Sequence, residues 1–485
     1  MAKTSFHKHP YFILLLIFVI SRVCVINFFN LKFEYDWVFQ MWHFIDIKLL
    51  KTNLLESVLY FHYQPPLYNL FLGFIHQQSM LSPILLLRII FYAISFLMGL
   101  IIFKTSLKIN HSTPQSIILA SLFYLFPETI LYENWPIYTW TSSFLLLASF
   151  YLLNLYRGSR KAKYLSLFFW AQLILILTRS AFHPVFYFGW FILFFFGLKK
   201  ERLKVIKAFV PPTIILLLIF FKNLYIFDFF SLGSGLGFSL YKITPKYIDQ
   251  KHVTDIIKLD PVYKIGPVKS ISSYGFNSKP VPEKFKNIEV LNTEYKTTLG
   301  RFTEEFSVNL GHYHYLEIAK RYQQSAIEII KKFPKDYAQR VIRAVIMFFK
   351  PTWDHGFGLE NNSIALFPYI NLVTLNNLRL DLENSIKKIR KPWPLKNEIP
   401  LSSYLIIPFA YFVILLFMFR FKWLRFEKIE YMFILYCVIY IFSVSNLIEL
   451  AENDRYRVMI DPLVYLGLCH ILSNVRSRNN SKFSQ

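Results

Sequence analysis

Clusters of lysine and arginine alternate with long apolar runs along this chain, and this alternation restricts the fold more than any other feature. The apolar runs that could form membrane spans cover residues 11–30, 84–103, 114–134, 136–156, 162–178, 183–198, 204–227, 401–420, 429–447 and 456–473. The basic clusters lie at 157–163, 199–207, 420–428 and 476–482. Lysine and arginine favour the cytoplasmic side of a membrane, and an even number of runs precedes every cluster. The sequence therefore predicts about ten transmembrane helices, with both termini in the cytoplasm.

A further apolar segment, residues 66–75 within FHYQPPLYNLFLG, is too short to be another span. As an α-helix it would reach about 15 Å, roughly half of the hydrocarbon core of a bilayer. Counting it as a span would also move every later basic cluster to the other side of the membrane. Pro65 and Pro66 are tolerated in the first turn of a helix. We therefore expect a helix at the outer leaflet that does not cross the membrane.

The composition is that of a membrane protein. Hydrophobic residues make up 54% of the chain and charged residues 17%, a balance typical of membrane-embedded chains. The net charge of +24 lies mostly in clusters beside apolar runs, where topology and membrane lipids account for it, so nucleic acid is not an expected partner. Cys24, Cys437 and Cys469 all lie in apolar runs, which argues against a disulfide framework or a thiolate metal site. The first run lacks a small-residue cleavage site and is expected to be retained.

The predicted topology divides the chain into three parts. Residues 1–227 form a transmembrane module with a first outer loop at 31–82, residues 228–400 form an extracytoplasmic region, and residues 401–485 form the C-terminal transmembrane helices. The outer region contains SLGSGLGFS turns, an irregular middle and a helical pattern over AIEIIKKFPKDYAQRVIRAVIMFF. We predict an all-α polytopic protein of the cell membrane with a mixed extracytoplasmic region.

The first outer loop contains a second helical pattern. In FEYDWVFQMWHFIDIKLL, the apolar residues Trp37, Met41, Phe44 and Ile45 recur at helical spacing. This spacing predicts an amphipathic helix that lies in the membrane interface.

Polar side chains from five segments are predicted to lie at the outer ends of the spans. Such groups are costly at the membrane unless they line a cavity or bind a ligand. The candidate site residues are Glu34, Asp36, His62, Gln64, Glu128, Glu133, Arg179, His183, Arg455 and Arg457. Each class has a structural alternative: the acids cap or end helices or stay solvated, the arginines reach lipid headgroups, and the histidines support the fold. No His/Cys cluster has the spacing of metal ligands, and we expect no metal or other cofactor.

Acids and arginines at the outer edge of a bilayer suit transfer of a group from a lipid-linked phosphate. A sugar on a polyprenyl phosphate already carries a good leaving group, so one carboxylate acting as a base on the acceptor hydroxyl is sufficient. Arginines hold the departing phosphate in bidentate fashion and neutralise its growing charge. Glycosidases, by contrast, use a pair of carboxylates. Because the carrier tail stays in lipid, the site is expected at headgroup depth on the extracytoplasmic side.

The order of these motifs resembles that of a known group of enzymes. An acidic loop after the first span, Pro-Pro-Leu-Tyr, PETILYEN, a span ending in Thr-Arg and a final ENDRYR…DP follow one another. This order is similar to that of the GT-C superfamily of polyprenyl-phosphate-sugar-dependent glycosyltransferases. The likeness is to the branch of protein O-mannosyltransferases and aminoarabinose transferases, including bacterial members of glycosyltransferase family 39.

The resemblance implies a fold, a mechanism and partners. It implies a GT-C type fold in which Asp36 is the general base and basic groups at the span ends hold the lipid phosphate. It also implies that the short helix after Pro66 forms the floor of the active-site cavity. The implied partners are a polyprenyl-phosphate-linked sugar donor, membrane lipids, and a lipid, glycan or protein acceptor.

Two positions depart from the family pattern, and other functions remain as alternatives. Gln64 stands where relatives often carry histidine or lysine before Pro-Pro, with His62 as a possible substitute. Thr139 stands about a dozen residues after Pro127, where many relatives carry an acid. The competing interpretations are a transporter or lipid flippase, which would favour polar groups near mid-membrane and internal repeats, and an O-antigen ligase- or polymerase-like protein.

Overall fold

We describe the protein from a computed structural model, which covers residues 9–244, 269–276, 280–297, 308–352, 358–373, 401–420, 429–450 and 452–483. The α-helices of the first part are α1 (Pro10–Phe29), α2 (Trp37–Gln40), α3 (Ile47–Thr52), α4 (Leu54–Tyr60), α5 (Leu67–Gln77), α6 (Pro83–Lys108), α7 (Thr113–Leu125), α8 (Pro127–Glu133), α9 (Tyr138–Ser159), α10 (Ala162–Thr178), α11 (Pro184–Gly197) and α12 (Arg202–Phe227). Those that follow are α13 (Leu236–Ile243), α14 (Glu289–Asn292), α15 (His314–Lys332), α16 (Pro334–Phe348), α17 (Glu360–Val373), α18 (Leu401–Arg420), α19 (Ile429–Ile448), α20 (Asn453–Val458) and α21 (Asp461–Phe483).

Several of the described helices are suited to a membrane. By length and composition, four can cross on their own: α1, α6, α19 and the segment Lys199–Phe227, which contains α12. The bent pair α7 and α8 passes the same test when it is taken as one span, and α10 and α11 are shorter apolar helices. Helices thus occupy the predicted apolar runs and give an all-helical membrane protein, while the count of ten transmembrane helices stays a prediction.

The third predicted span, residues 114–134, is bent by 57° between α7 and α8. Proline disfavours a helical conformation of the residue before it, and Phe126, which precedes Pro127, is accordingly extended. Every residue of α8 is buried. Glu128 and Glu133 therefore lie inside the helix bundle, and not in an outer loop between two spans.

The short apolar segment after the double proline is a helix, as the sequence predicts. Pro66 is the N-cap of α5, which is 11 residues long, equivalent to about 16 Å. The helix packs against the rest of the protein, with Tyr68 and Leu72 buried. The Tyr68 hydroxyl donates a hydrogen bond to the carbonyl of Pro136, at the entry to α9.

The amphipathic helix predicted over residues 37–45 stops after one turn. Helix α2 ends at Gln40, and Met41 is extended. Met41, Phe44 and Ile45 are buried inside the protein, and the Ile45 N–H donates a hydrogen bond to the Asn69 side chain. The apolar residues of the pattern are thus buried, but the helix that their spacing predicts does not continue. Tertiary contacts replace its hydrogen bonds.

The first outer loop and the described part of residues 228–400 contact each other directly. The Ser234 N–H donates to the His62 carbonyl, the Lys296 ammonium donates to the Met41 carbonyl, and a backbone N–H donates to the Asp46 carboxylate. These contacts bring the two regions together, and their extracytoplasmic location stays a prediction.

The regular elements of the predicted extracytoplasmic region are helices in the part that the structure describes, and loops connect them. Helices α15 and α16 occupy the predicted pattern and are separated at Phe333, before Pro334. An isolated antiparallel bridge joins Tyr295 and Val308, and the described residues contain no longer strand pairing. Most of the irregular middle predicted here, together with residues 374–400, lies outside the described residues.

A buried ion pair ties α1 to α8. The Arg22 guanidinium donates two hydrogen bonds to the Glu133 carboxylate, at 2.8 and 2.7 Å. A third bond reaches the Tyr124 carbonyl, and the guanidinium also lies 4.4 Å from the centre of the Phe18 ring. Both charged side chains are at most 5% exposed. Glu133 therefore stabilises the bundle through Arg22, a partner that the sequence patterns do not reveal.

We expect Arg22→Ala to destabilise the protein by about 3–5 kcal/mol, because it leaves the Glu133 carboxylate buried without its partner. The double variant Arg22→Met/Glu133→Leu is expected to recover most of that loss, since neither charge remains. Thermal unfolding in detergent measures both effects. The matched control is Lys204→Met, which breaks the exposed Lys204–Glu201 pair and should change stability by less than about 1 kcal/mol. Equal losses in the control and in Arg22→Ala would contradict the interpretation.

Candidate active site

A small cavity, partly open to solvent, lies where the helices α9, α10 and α19 begin or end. Residues from the first outer loop, from the segment before α5, from α13 and from the segment that leads into α20 complete its lining. Its aromatic residues are Trp42, Tyr63, Tyr138, Phe238 and Tyr456. The cavity thus lies between the ends of apolar helices and α13 of the predicted outer region.

Charged side chains of both signs line the same cavity. The cations are Arg179, Lys242 and Arg455, and the acids are Glu449 and Glu452. Lys242 pairs with Glu449 at 3.3 Å, and Arg455 pairs with Glu452 at 2.6 Å. Among the described residues, Arg179 has no acidic partner within salt-bridge distance. The lining thus carries one cation more than its acids neutralise.

Arg179 is held by aromatic rings and a weak hydrogen bond. It is the C-cap of α10, is 2% exposed, and lies 4.2 Å from the Tyr456 ring and 5.0 Å from the Tyr138 ring. One nitrogen, Nη1, donates to the Thr139 hydroxyl at 3.3 Å and contacts the Met459 sulfur at 3.1 Å. The other, Nη2, has no hydrogen-bond partner among the described residues. A buried guanidinium in this state is costly unless an anion binds it.

The two predicted arginines of α20 have different surroundings. Residues that are two positions apart in a helix lie on nearly opposite sides of it. Arg455 lines the cavity, and its Nε and Nη1 atoms have no hydrogen-bond partner in the described part of the chain. Arg457 instead donates to Asp461 at 2.6 Å and to the carbonyls of Phe348 and Lys350. Arg455 is therefore available to a ligand, whereas Arg457 joins α20, α21 and the end of α16.

Neither predicted acid of PETILYEN reaches the cavity. Glu128 is 3% exposed, accepts a hydrogen bond from the Thr352 hydroxyl and lies 4.0 Å from Arg457. Glu133 is bound to Arg22. Both carboxylates are thus part of the buried contacts that fix α8, and the lining of the cavity does not include them.

Asp36 and Glu34 do not line the cavity. Asp36 is exposed and stands at the start of α2, where its carboxylate makes no capping hydrogen bond. Its neighbour Trp37 contacts the Trp135 ring at 6.5 Å, and Arg455 lies 6.0 Å from that same ring. Burial raises the pKa of the Glu34 carboxyl, and the charge of Asp36 raises it further. The carboxylate of Asp36 is accessible, and the rings of its neighbour Trp37 and of Trp135 connect this segment to Arg455.

The two residues predicted before the double proline have separate roles. Gln64 lines the cavity, and its Oε1 atom has no hydrogen-bond partner among the described residues. His62 is completely buried; one ring nitrogen bonds to the Ser234 hydroxyl at 2.9 Å and the other to the His312 carbonyl at 3.3 Å. His62 therefore links the first outer loop to the outer region and does not face the cavity.

The last predicted histidine lies at a helix end. His183 is exposed and is the N-cap of α11, where its Nδ1 accepts a hydrogen bond from the Val185 N–H. It lies outside the lining of the cavity. Its position agrees with the structural alternative, in which the histidine supports the fold.

Acidification is expected to loosen the contact that His62 makes. Burial lowers the pKa of His62 to about 3 and that of His312 to about 4. The unfolded chain, with a histidine pKa near 6.5, therefore binds more protons below that pH, and stability falls as pH drops from about 6.5 toward 3. Each such histidine contributes a slope of up to about 1.4 kcal/mol per pH unit.

His62→Gln should reduce the pH dependence of the melting temperature between pH 6.5 and 4.5, measured in detergent. The slope is the informative quantity, because a change in stability that is equal at all pH values reports only on lost packing. Parallel curves for the two proteins would show that His62 is not the group that takes up the proton.

The sequence patterns did not single out several residues that line the cavity. Trp42 and His43 follow the predicted acidic loop, and Lys242 lies near the end of the SLGSGLGFSLYK stretch. The imidazole of His43 packs against Tyr63 and Tyr138; burial and the nearby Arg455 charge lower its pKa well below 6.5. The short distance in sequence from Asp36 could have indicated His43. Nothing in the sequence brings Lys242 to this place.

The described residues contain no group of three or more His, Cys, Asp or Glu side chains placed to hold a metal ion. The cavity is instead lined by guanidinium, ammonium, carboxylate and aromatic groups. Arginine side chains of this kind bind phosphate and carboxylate groups.

No protein-family model matches this chain, and no curated protein matches it. Two solved structures are similar: the archaeal oligosaccharyltransferase AglB from Archaeoglobus fulgidus in complex with an inhibitory peptide and a dolichol-phosphate, and the Archaeoglobus fulgidus oligosaccharyltransferase in the apo form. Each is 14% identical, with a TM-score of 0.35, over 99% of this chain and 52% or 53% of its own. This chain thus spans about half the length of those proteins. Because a TM-score of 0.35 does not establish a shared fold, the similarity assigns no function to this chain.

Proposed function

We propose that this chain is an integral membrane glycosyltransferase, which moves a sugar from a polyprenyl-phosphate carrier to an acceptor hydroxyl on the extracytoplasmic face. The observation that carries the proposal is the buried guanidinium of Arg179. It lines an aromatic cavity at the end of apolar helices and has no acidic partner among the described residues. A phosphate on a lipid carrier is an anion that reaches this depth while its tail stays in the membrane.

Arg179 and Arg455 together suit a phosphate group. Both have unsatisfied N–H groups in the described part of the chain, and the Tyr138 ring lies 5.0 Å from Arg179 and 5.7 Å from Arg455. Guanidinium groups bind phosphate oxygens through two parallel hydrogen bonds. They also stabilise the charge that grows on the leaving phosphate during transfer. Thr139 stands where members of the family that this sequence resembles often carry an acid, and its hydroxyl leaves the charge of Arg179 without an acidic partner among the described residues.

The aromatic residues of the cavity suit the remainder of the donor. Pockets for small molecules combine aromatic walls with a few well-placed polar groups. Trp42, Tyr63 and Phe238 supply walls, while Gln64 and His43 supply hydrogen-bonding groups toward the first outer loop. We assign this side of the cavity to the sugar and the arginine side to its phosphate.

The proposed reaction releases one proton and therefore needs one general base. The acceptor hydroxyl attacks the anomeric carbon, a new carbon–oxygen bond forms, and the bond between that carbon and the phosphate oxygen breaks. The bonding electrons leave with the phosphate, whose charge Arg179 and Arg455 neutralise. Asp36 takes the proton of the acceptor. Its exposure at the start of α2 suits an acceptor that approaches from outside the cavity.

The test is whether the purified protein consumes a polyprenyl-phosphate sugar. We expect mass spectrometry to show that a deletion strain lacks specific glycolipids or glycoproteins, which identify the acceptor. When this acceptor is supplied, we expect the purified protein to release polyprenyl phosphate from the sugar donor. A deletion strain with an unchanged set of glycolipids and glycoproteins would contradict the proposal. Movement of the intact sugar lipid across vesicles without release of polyprenyl phosphate would instead indicate a flippase.

A further inference from the structure

The glycine-containing segment before α13 brings the outer region close to the cavity. A Cβ atom on Gly233 would lie 2.7 Å from the Tyr63 carbonyl oxygen, and one on Gly235 would lie 3.1 Å from it. On α13 itself, a Cβ on Gly237 would lie 1.9 Å from the Ala319 carbonyl oxygen. Glycine is required where backbones approach this closely. These approaches let α13 pack between the first outer loop and α15, with Lys242 facing the cavity.

Lys242 is a cation that an acid of the C-terminal transmembrane part holds in the cavity. Its ammonium lies 3.3 Å from Glu449, just beyond the end of α19, and 5.8 Å from the Trp42 ring. Burial would lower the pKa of Lys242, but the Glu449 and Glu452 carboxylates outweigh this effect and raise it. Lys242 is therefore charged, and 23% of its side chain remains exposed.

Lys242 can leave the ion pair without leaving Glu449 unsatisfied. The Oε1 atom of Glu449 also accepts a hydrogen bond from the Leu450 N–H, at 3.2 Å. A lysine ammonium is a compact charge on a flexible stem, so it can turn toward another anion in the same cavity. The charge of the departing polyprenyl phosphate grows during transfer, when a third cation is most useful.

We propose that Lys242 is a further phosphate-binding residue, held by Glu449 in the unliganded protein and released to the phosphate when the lipid-linked donor enters. The inference rests on the proposed function, and it adds the outer region as a contributor to donor binding. Glu449 is then a positioning residue that competes with the phosphate for Lys242. Removal of the Lys242 charge should consequently weaken donor binding, whereas removal of the Glu449 charge should strengthen it.

The experiment measures binding of farnesyl phosphate to the full-length protein in detergent, beside farnesol as a probe without phosphate. Lys242→Gln is expected to weaken binding of farnesyl phosphate about tenfold, while Lys242→Arg keeps the charge and stays close to wild type. Glu449→Gln is expected to tighten binding about three- to tenfold, because the competing acid is gone. Farnesol should bind all variants equally.

The matched control is the Lys286–Glu283 pair, an exposed Lys–Glu ion pair of the same outer region. Lys286→Gln and Glu283→Gln should leave binding unchanged. If Lys242→Gln and Glu449→Gln weaken binding alike, or Lys242→Gln has no effect, the pair is only a structural contact and the inference fails. Should Lys242→Gln not fold, the tightening in Glu449→Gln decides the question, and its absence overturns the inference.

The binding experiment distinguishes failure of this inference from failure of the proposed function. Absence of farnesyl phosphate binding to the wild type, or unchanged binding in Arg179→Gln, would overturn the proposed function itself. Binding that depends on Arg179 but not on Lys242 would overturn only the role of Lys242.

Discussion

Asp36→Asn is expected to reduce sugar transfer by two or more orders of magnitude, while expression and donor binding persist. A general base contributes about 10²–10⁴-fold, and asparagine keeps the size of the side chain but cannot take the acceptor's proton. The Asp36 carboxylate makes no capping hydrogen bond in the structure, so the substitution leaves α2 intact. Release of polyprenyl phosphate by the purified enzyme measures transfer, and farnesyl phosphate binding by the same sample measures the donor site.

Glu34→Gln is the matched control for Asp36→Asn. The two acids lie two residues apart on the same loop, and Glu34 is expected to be solvated or structural. Near-normal transfer by Asp36→Asn would show that Asp36 is not the base. The structure would then direct the search to Glu452 and His43 in the cavity, because Thr352 and Arg22 already engage Glu128 and Glu133.

Arg179→Gln is expected to weaken use of the lipid-linked donor about ten- to a hundred-fold. Loss of a charge-assisted hydrogen bond is worth about 1.5–3 kcal/mol, and Arg179 is the cavity cation without an acidic partner among the described residues. The catalytic efficiency with the sugar donor and the affinity for farnesyl phosphate should fall together. Unchanged donor kinetics in a folded variant would leave Arg179 a structural role between Tyr138 and Tyr456.

Thr139 offers a second way to test the same guanidinium. Thr139→Asp places a carboxylate next to Arg179 and is expected to weaken binding of farnesyl phosphate, because the new acid competes with the phosphate. Thr139→Val removes only the 3.3 Å hydrogen bond and should bind almost as the wild type does. Faster transfer by Thr139→Asp would instead indicate that an acid at this position takes part in the chemistry.

Much of the helical framework follows from the sequence, because apolar runs of this length are stable in a bilayer only as helices. Pro66 and Pro127 mark helix starts correctly, since proline is favoured in a first turn and disfavours helix in the residue before it. The amphipathic helix predicted over residues 37–45, by contrast, ends after one turn because of tertiary contacts. Phe44 packs against Tyr68 of α5 and Tyr138 of α9, and the Met41 carbonyl accepts a hydrogen bond from Lys296. A local pattern contains no information on such distant contacts.

The candidate site was predicted only in part. Gln64, Arg179 and Arg455 line the cavity, as sequence reasoning suggested for a binding site, whereas His62 and His183 lie in other contacts. Lys242 could not be found from the sequence, because the acid that it pairs with, Glu449, lies more than 200 residues further along the chain. Pairings between groups so far apart in the chain depend on how the helices pack.

The sequence is sufficient to predict a helical, membrane-embedded chain and to identify the segments that supply acids and arginines at the ends of apolar runs. These properties depend on local composition and on the cost of placing charge in lipid. Which partner each charge finds depends on the tertiary structure. Arg455 and Arg457 look alike in the sequence, yet Arg455 pairs with Glu452 in the lining of the cavity, whereas Arg457 pairs with Asp461 outside it. The physical reason is that a buried charge is neutralised by whichever partner the packing brings within hydrogen-bond distance, and Arg179 has none among the described acids.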